Sequence, residues 1–221
     1  MAPTSRVVHD EIDNLLDYLV YSEIALHANP VRNEGGRVSW RGFAPYGKFL
    51  ESREPESVAT YRAWLEAGAY SALLFDGALL QVTYDFVGHH LIAHRLAWVP
   101  CPFMVDLELL QLESPLEIVD LYAAGNAVDV VLRTTIRFDY DIEGGGNADH
   151  PAAHLSVNSS ECRIACAAPL RLGHFVDFVF RNFYPDFWRA HPYLGGLSRK
   201  AWGPHTVTDE ETNRLHVSWR R

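Results

Sequence analysis

Residues 133–141 read Arg-Thr-Thr-Ile-Arg-Phe-Asp-Tyr-Asp and close the clearest strand pattern in the chain, residues 130–141. With a period of two, Arg133, Thr135, Arg137, Asp139 and Asp141 share one face, while Val130, Leu132, Ile136, Phe138 and Tyr140 share the other. The same alternation in residues 153–157 and 163–167 adds His154, Ser156 and Arg163 to the polar face. Strands upstream add Gln81, Thr83, Asp85 and Arg95. A histidine, several arginines and paired carboxylates on one surface are the inventory for holding and cleaving a phosphodiester. Guanidinium stabilises the developing charge, and imidazole moves the proton. In this reading His154 transfers the proton and Arg137 and Arg163 bind the anion, with Asp139 orienting His154 or ligating a metal. Arg95, Arg133, Ser156 and His150 complete the substrate contacts. The competing reading is a solvated sheet face held by cross-strand ion pairs.

His150 and His154 are four apart, a spacing that shares a metal on a helix, but Pro151 and the strand pattern that follows oppose helical geometry. Through a turn they can still converge, and Asp139 with Asp141 would supply oxygen ligands for a divalent ion. The alternative is that Asp149-His150-Pro151 caps a turn. Cys162 and Cys166 on a strand lie ~13 Å apart, too far for a disulfide or a shared zinc. Cys101, between two prolines, has no neighbouring histidine to activate it. On the last long helix, His174, Asp177 and Arg181 form a stripe in which Asp177 would orient His174, or a plain solvated face. His94 lies opposite Tyr84 on the apolar face and reads as a core histidine.

These residues need a sheet to hold them. Asp76-Gly77 between apolar runs at 69–75 and 79–86 marks a hairpin, and a second follows with residues 92–98. Pairing Phe86 with Ile92, Tyr84 with His94, Val82 with Leu96 and Leu80 with Trp98 puts every large apolar side chain on one face, together with Ile136 and Phe138. Helical spacing predicts a long amphipathic helix over 8–28, a shorter one over 56–67, partial helix over 106–124 broken at Pro115, and an aromatic helix over 170–184 with Phe175, Phe178, Val179 and Phe183 inward. Residues 30–55, rich in Gly, Pro and aromatics, read as an ordered irregular loop, and 215–219 as a last strand. Consecutive hairpins with helices at the two ends give an α+β fold: an antiparallel sheet of about five to seven strands, packed on one face by the N-terminal and C-terminal helices. No G-x-G-x-x-G or Walker loop occurs.

The composition of 48% apolar and 21% charged residues over 221 positions fits one globular domain spanning the chain. Lys and Arg number 19 against 28 Asp and Glu, a net charge of −9 that argues against a general nucleic-acid coat and leaves room for a local basic patch. Lysine occurs only at Lys48 and Lys200, so the cations are nearly all arginine, the better residue for planar contact with phosphate. No apolar run approaches the ~20 residues of a membrane span and no basic-then-apolar leader precedes the first helix. Three cysteines without such a leader point to reduced thiols in the cytoplasm.

Several blocks carry a resemblance: Asp76-Gly77-Ala78-Leu79-Leu80-Gln81, His94-Arg95-Leu96 with Pro100-Cys101-Pro102-Phe103, and Arg137-Phe138-Asp139-Tyr140-Asp141. They continue with Asp149-His150-Pro151-Ala152-Ala153-His154-Leu155, Cys162-Arg163-Ile164 and the helix at 175–184. Together, over most of residues 57–185, they resemble an uncharacterised bacterial domain-of-unknown-function family. The resemblance implies no settled activity, cofactor or catalytic residue, and it implies a place among mobile or defence-associated genes. Two expectations follow. The first is an enzyme or effector acting on a nucleic acid or nucleotide, of the phosphodiesterase or nuclease kind, with or without a divalent metal. The second is a non-catalytic partner or regulator in a multi-gene assembly, binding through the aromatic loop at residues 40–49 or through the tail.

Overall fold

The computed structural model describes residues 4–40, 57–106, 108–124, 131, 133–147, 149–158, 161–200 and 202–219. The first helix, α1 (Ser5–Tyr21), is capped by the Thr4 hydroxyl and buries Val8, Ile12, Leu15, Leu16 and Leu19. It ends seven residues before the position its apolar spacing suggests. Ile24 keeps that spacing and is fully buried, yet it is reached through a turn in which Glu23 takes φ 55 and the Ile24 N–H bonds back to Leu19. The chain then enters β1 (Ala25–Ala28).

Residues 30–55 are not irregular throughout. Their first part is a hairpin, β2 (Val31–Glu34) and β3 (Arg37–Trp40), turned at Gly35 and Gly36 with φ 61 and 89. A Gly-Gly pair between two short runs is a hairpin signal in its own right. The aromatic loop beyond Trp40 lies outside the described residues, as do Val130 and Leu132.

After α2 (Val58–Glu66) come β4 (Ala72–Leu74), β5 (Leu79–Val87) and β6 (His90–Val99). The helical stretch is broken as expected ahead of Pro115, which opens α4 (Pro115–Ala124) after the short α3 (Leu109–Leu112). Then follow β7 (Ile136–Asp141), β8 (Ala153–Val157) and β9 (Arg163–Ala165). The chain closes with α5 (Leu172–Phe183), α6 (Pro185–Ala190), α7 (Pro192–Gly196) and α8 (Asp209–Thr212).

The fold is α+β, and among the described residues nine antiparallel strands form one sheet, seven of them in the order β1-β4-β5-β6-β7-β8-β9. The β2–β3 hairpin joins it where β3 pairs the far part of β5. The expected register holds for Leu80 with Trp98, Val82 with Leu96 and Tyr84 with His94. It then shifts, so that Phe86 faces Leu91 and Ile92 is the bulged residue. Strand β7 starts only at Ile136, and the expected strand at 215–219 is a single parallel bridge between Val217 and Cys166. Among the described residues no helix is long and apolar enough to cross a membrane.

The apolar sheet face carries Leu80, Val82, Tyr84, Phe86, Leu96, Trp98, Phe138 and Tyr140, all buried with α1 and α5. On α5 the inward set is Phe175, Val176, Val179 and Phe180, while Phe178 and Phe183 lie nearer solvent, Phe183 stacked on Trp98. A second cluster sits on the opposite face, where Tyr61 and Leu65 of α2 and Val119 of α4 cover Leu79, Ala97 and Val99. One end of the polar face is therefore roofed. The tail aromatics pack inward: Trp202 is buried edge-on to Tyr84, and Tyr193 stacks on Tyr18. Ile136 is half-buried rather than fully buried, so the sharper test of the core is Phe138, which meets Phe175 and Phe178 edge-to-face at 6.4 and 5.3 Å. Phe138→Ala is expected to lower the unfolding free energy by about 3–5 kcal/mol in a denaturant titration.

Candidate functional site: an arginine, histidine and aspartate face

Strand pairing lines up the polar residues in two rows. Thr83, Arg95, Asp139 and His154 face one another across β5 to β8, and in the neighbouring row stand Gln81, Ala97, Arg137, Ser156 and Arg163. Asp139 is the hub, only 7% exposed. Arg137 Nε donates to its Oδ2 at 2.5 Å, Arg95 Nε lies 3.3 Å from Oδ1, and His154 Nε2 lies 3.6 Å from Oδ2. Oδ1 itself is buried without a hydrogen-bond partner.

His154 is 4% exposed and held by its other nitrogen, with Nδ1 2.9 Å from the Pro151 carbonyl oxygen. A carbonyl only accepts, so the proton sits on Nδ1 and Nε2 carries the lone pair facing Asp139. Burial pushes the His154 pKa below its ordinary value, and the Asp139 carboxylate opposes that shift without reversing it. At neutral pH the 3.6 Å approach is therefore a neutral base beside a carboxylate, not an ion pair. Ser156, in the next row, is 4% exposed, and its Oγ finds no hydrogen-bond partner. Arg163 Nε is likewise buried without one, while the same guanidinium reaches the Asp149 carbonyl at 3.3 Å.

His154, Asp139, Arg137, Arg163, Arg95 and Ser156 thus occupy one surface. Three other expected members do not join them in the same way. Arg133 precedes β7 and is exposed, and its charge acts on Cys101 and Tyr184 instead. Asp141 is exposed, and its Oδ1 accepts the Glu143 and Gly144 N–H groups at 2.9 and 3.0 Å, which makes it a turn cap. His150 stands in the turn closed by Asn147 Oδ1, its ring edge-on to His154 at 5.4 Å. The set Asp139, Asp141, His150 and His154 does not close on a point, and among the described residues no three His, Cys, Asp or Glu side chains are placed to hold a metal ion. On α5, Asp177 is taken by Arg181 and Arg199, each at 3.0 Å, and does not orient His174. The three cysteines are free thiols.

Sequence reading missed Arg37, which pairs Asp85 through Nε at 2.5 Å and a second nitrogen at 2.8 Å. Its signal was the Gly35-Gly36 turn, which places it on β3 opposite Asp85. The Tyr184 hydroxyl was missed as well; it accepts from Trp98 Nε1 at 3.1 Å and donates to Asp76. No spacing rule joins residues so far apart in the chain.

The chain is thus a one-sheet antiparallel α+β fold whose polar face gathers arginine, histidine and aspartate. The chain belongs to the family described as uncharacterized conserved protein DUF2290, whose model matches residues 22–219. No curated protein and no solved structure matches it.

Proposed function

We propose that this face holds a phosphate-bearing ligand, a nucleic acid or nucleotide, and that His154 is its proton-transfer group. The observation that carries the reading is the pairing of a buried neutral imidazole, its Nε2 lone pair turned to the shared face, with a Ser156 hydroxyl and an Arg163 Nε that lack hydrogen-bond partners. Buried polar groups without partners are rare in folded proteins, and an anion's oxygens would satisfy both donors at once. Arg95 and Arg163 are partly exposed above a floor made by His154, Ser156 and Asp139. In its finer form this is a cytoplasmic bacterial hydrolase of the phosphodiesterase or nuclease kind, with a role in defence.

Calorimetric titration with inorganic pyrophosphate tests the binding step. Wild-type protein is expected to bind, Ser156→Ala to bind about 5- to 10-fold more weakly, and Arg163→Gln at least 10-fold more weakly. Equal affinity in all three would refute the reading. The second reading, a non-catalytic interaction protein, is favoured by the exposure of Met104, Leu112 and Leu121 beside α3 and α4, at 70%, 78% and 62%. It takes first place if pyrophosphate does not bind.

A further inference from the structure

The polar face holds more arginines than one phosphate can use. Arg37 on β3, Arg95 on β6, Arg137 on β7 and Arg163 on β9 stand on the same side of the sheet. Arg37 is opposite Asp85, one row beyond Arg95, whereas Arg137 and Arg163 are one row to the other side. The four therefore form a diagonal. At ~4.8 Å between strands and ~3.3 Å per residue along them, the diagonal runs roughly 27 Å, with neighbours about 8–12 Å apart at the backbone. The side chains of Arg37, Arg95 and Arg137 keep 29%, 36% and 15% of their surface exposed, and Arg163 is half-buried. Hydroxyls lie along the row: Ser39 and Thr83, bonded to each other at 2.9 Å, and Ser156.

Resting on the phosphate reading above, we infer that the ligand is a single-stranded nucleic acid whose backbone crosses the strands along this diagonal, with His154 beside one of its central phosphates. Spacing decides between ligands. A mononucleotide reaches two of these guanidiniums at most, while a stacked strand, at ~3.4 Å per nucleotide, spans the row in about eight. A single row of partly recessed arginines tracks one backbone. The Asp85 and Asp139 carboxylates keep the guanidiniums fanned in place and temper the affinity, yet the four arginines outnumber these two carboxylates, a local positive excess in a chain of net charge −9. Binding is expected to be independent of base sequence, because contacts to phosphate carry no sequence information.

Fluorescence anisotropy with a labelled 12-nucleotide thymidine strand tests this, with unlabelled duplex and pyrophosphate as competitors. The expected result is binding whose log K falls against log salt with a slope of about −2 to −3, for three to four phosphate contacts at ~0.7 each. Arg163→Gln and Arg37→Gln, at the two ends of the row, should each reduce the slope by about 0.7, and duplex should compete at least 10-fold less well than the unlabelled strand. If pyrophosphate competes as well as the strand and only Arg163→Gln has an effect, the site holds one phosphate; the diagonal is then overturned and the phosphate reading stands. If neither ligand binds, both fall. Preference for duplex, or a slope unchanged by both variants, would overturn the diagonal alone.

Discussion

His154→Asn is expected to lower turnover of a phosphodiester such as bis(4-nitrophenyl) phosphate by ~10²–10⁴-fold while leaving the thermal unfolding midpoint near that of the wild type. Asparagine is the informative replacement because its side-chain amide can donate to the Pro151 carbonyl in place of Nδ1, so it removes only the Nε2 lone pair. Alanine would leave that buried carbonyl unpaired at a cost of about 1–3 kcal/mol, confounding loss of chemistry with loss of fold. On the proposed reading the neutral imidazole is the active form, and since its pKa lies below the ordinary histidine value, activity should be level at neutral pH and fall in acid, with a midpoint below ~6.5. Equal turnover in wild type and His154→Asn would remove His154 from the chemistry, and a wild type that hydrolyses nothing would reduce the site to binding alone.

Acid should destabilise the protein mainly through His94. Its ring is buried on the apolar face, where Nε2 accepts the Leu170 N–H at 2.8 Å while the Tyr84 hydroxyl donates to the Leu170 carbonyl. Leu170 leads into α5, so this clamp fixes the C-terminal helix on the sheet. Burial pushes the His94 pKa down to about 4, with the Asp139 carboxylate only partly opposing it and His154 reinforcing it. The folded pKa lies below the unfolded one. The contribution is therefore complete above ~6.5 and is lost as the pH falls toward 4, amounting to about 3 kcal/mol for a shift of this size. Burial lowers His154 and His174 as well, adding to the loss in the same direction. His94→Gln keeps an acceptor for Leu170 and cannot titrate. Urea unfolding at pH 7 and pH 4.5 should show a clearly smaller acid loss in this variant, and an equal loss in both proteins would contradict the clamp.

The sheet was readable wherever alternation is strict and one face is apolar. Leu80 to Tyr84 against His94 to Trp98 is such a stretch, because a one-residue slip would expose Trp98 and bury Arg95. Spacing misleads where one pattern serves two structures. Ile24 has helical spacing but is buried from a turn, and the β-bulge at Ile92 leaves no mark in an apolar Leu91-Ile92 pair. The candidate face was legible as a list because side chains on strands alternate. Its internal order was not, since Asp139 meets Arg95 and His154 only through strand pairings that no local rule supplies. Arg133 and Asp141 left the set for a shared reason: strand β7 is shorter than its alternation, starting after Arg133 and ending at Asp141, where the chain turns and the carboxylate caps it. The second layer formed by α2 and α4 was hidden because Leu79, Ala97 and Val99 sit on the nominally polar parity of their strands.

On the proposed reading a phosphate group settles against Arg163 and Ser156 beside the Nε2 lone pair of His154. Nitrogen-15 NMR of the histidine rings and arginine Nε groups during titration with pyrophosphate tests it most directly. The expected result is that His154 Nε2 and Arg163 Nε move together along one saturation curve in the wild type, and that the His154 response vanishes in Ser156→Ala with Arg163→Gln combined. Resonances of His154 and Arg163 that stay fixed while signals elsewhere move would place any anion off this face and contradict the claim.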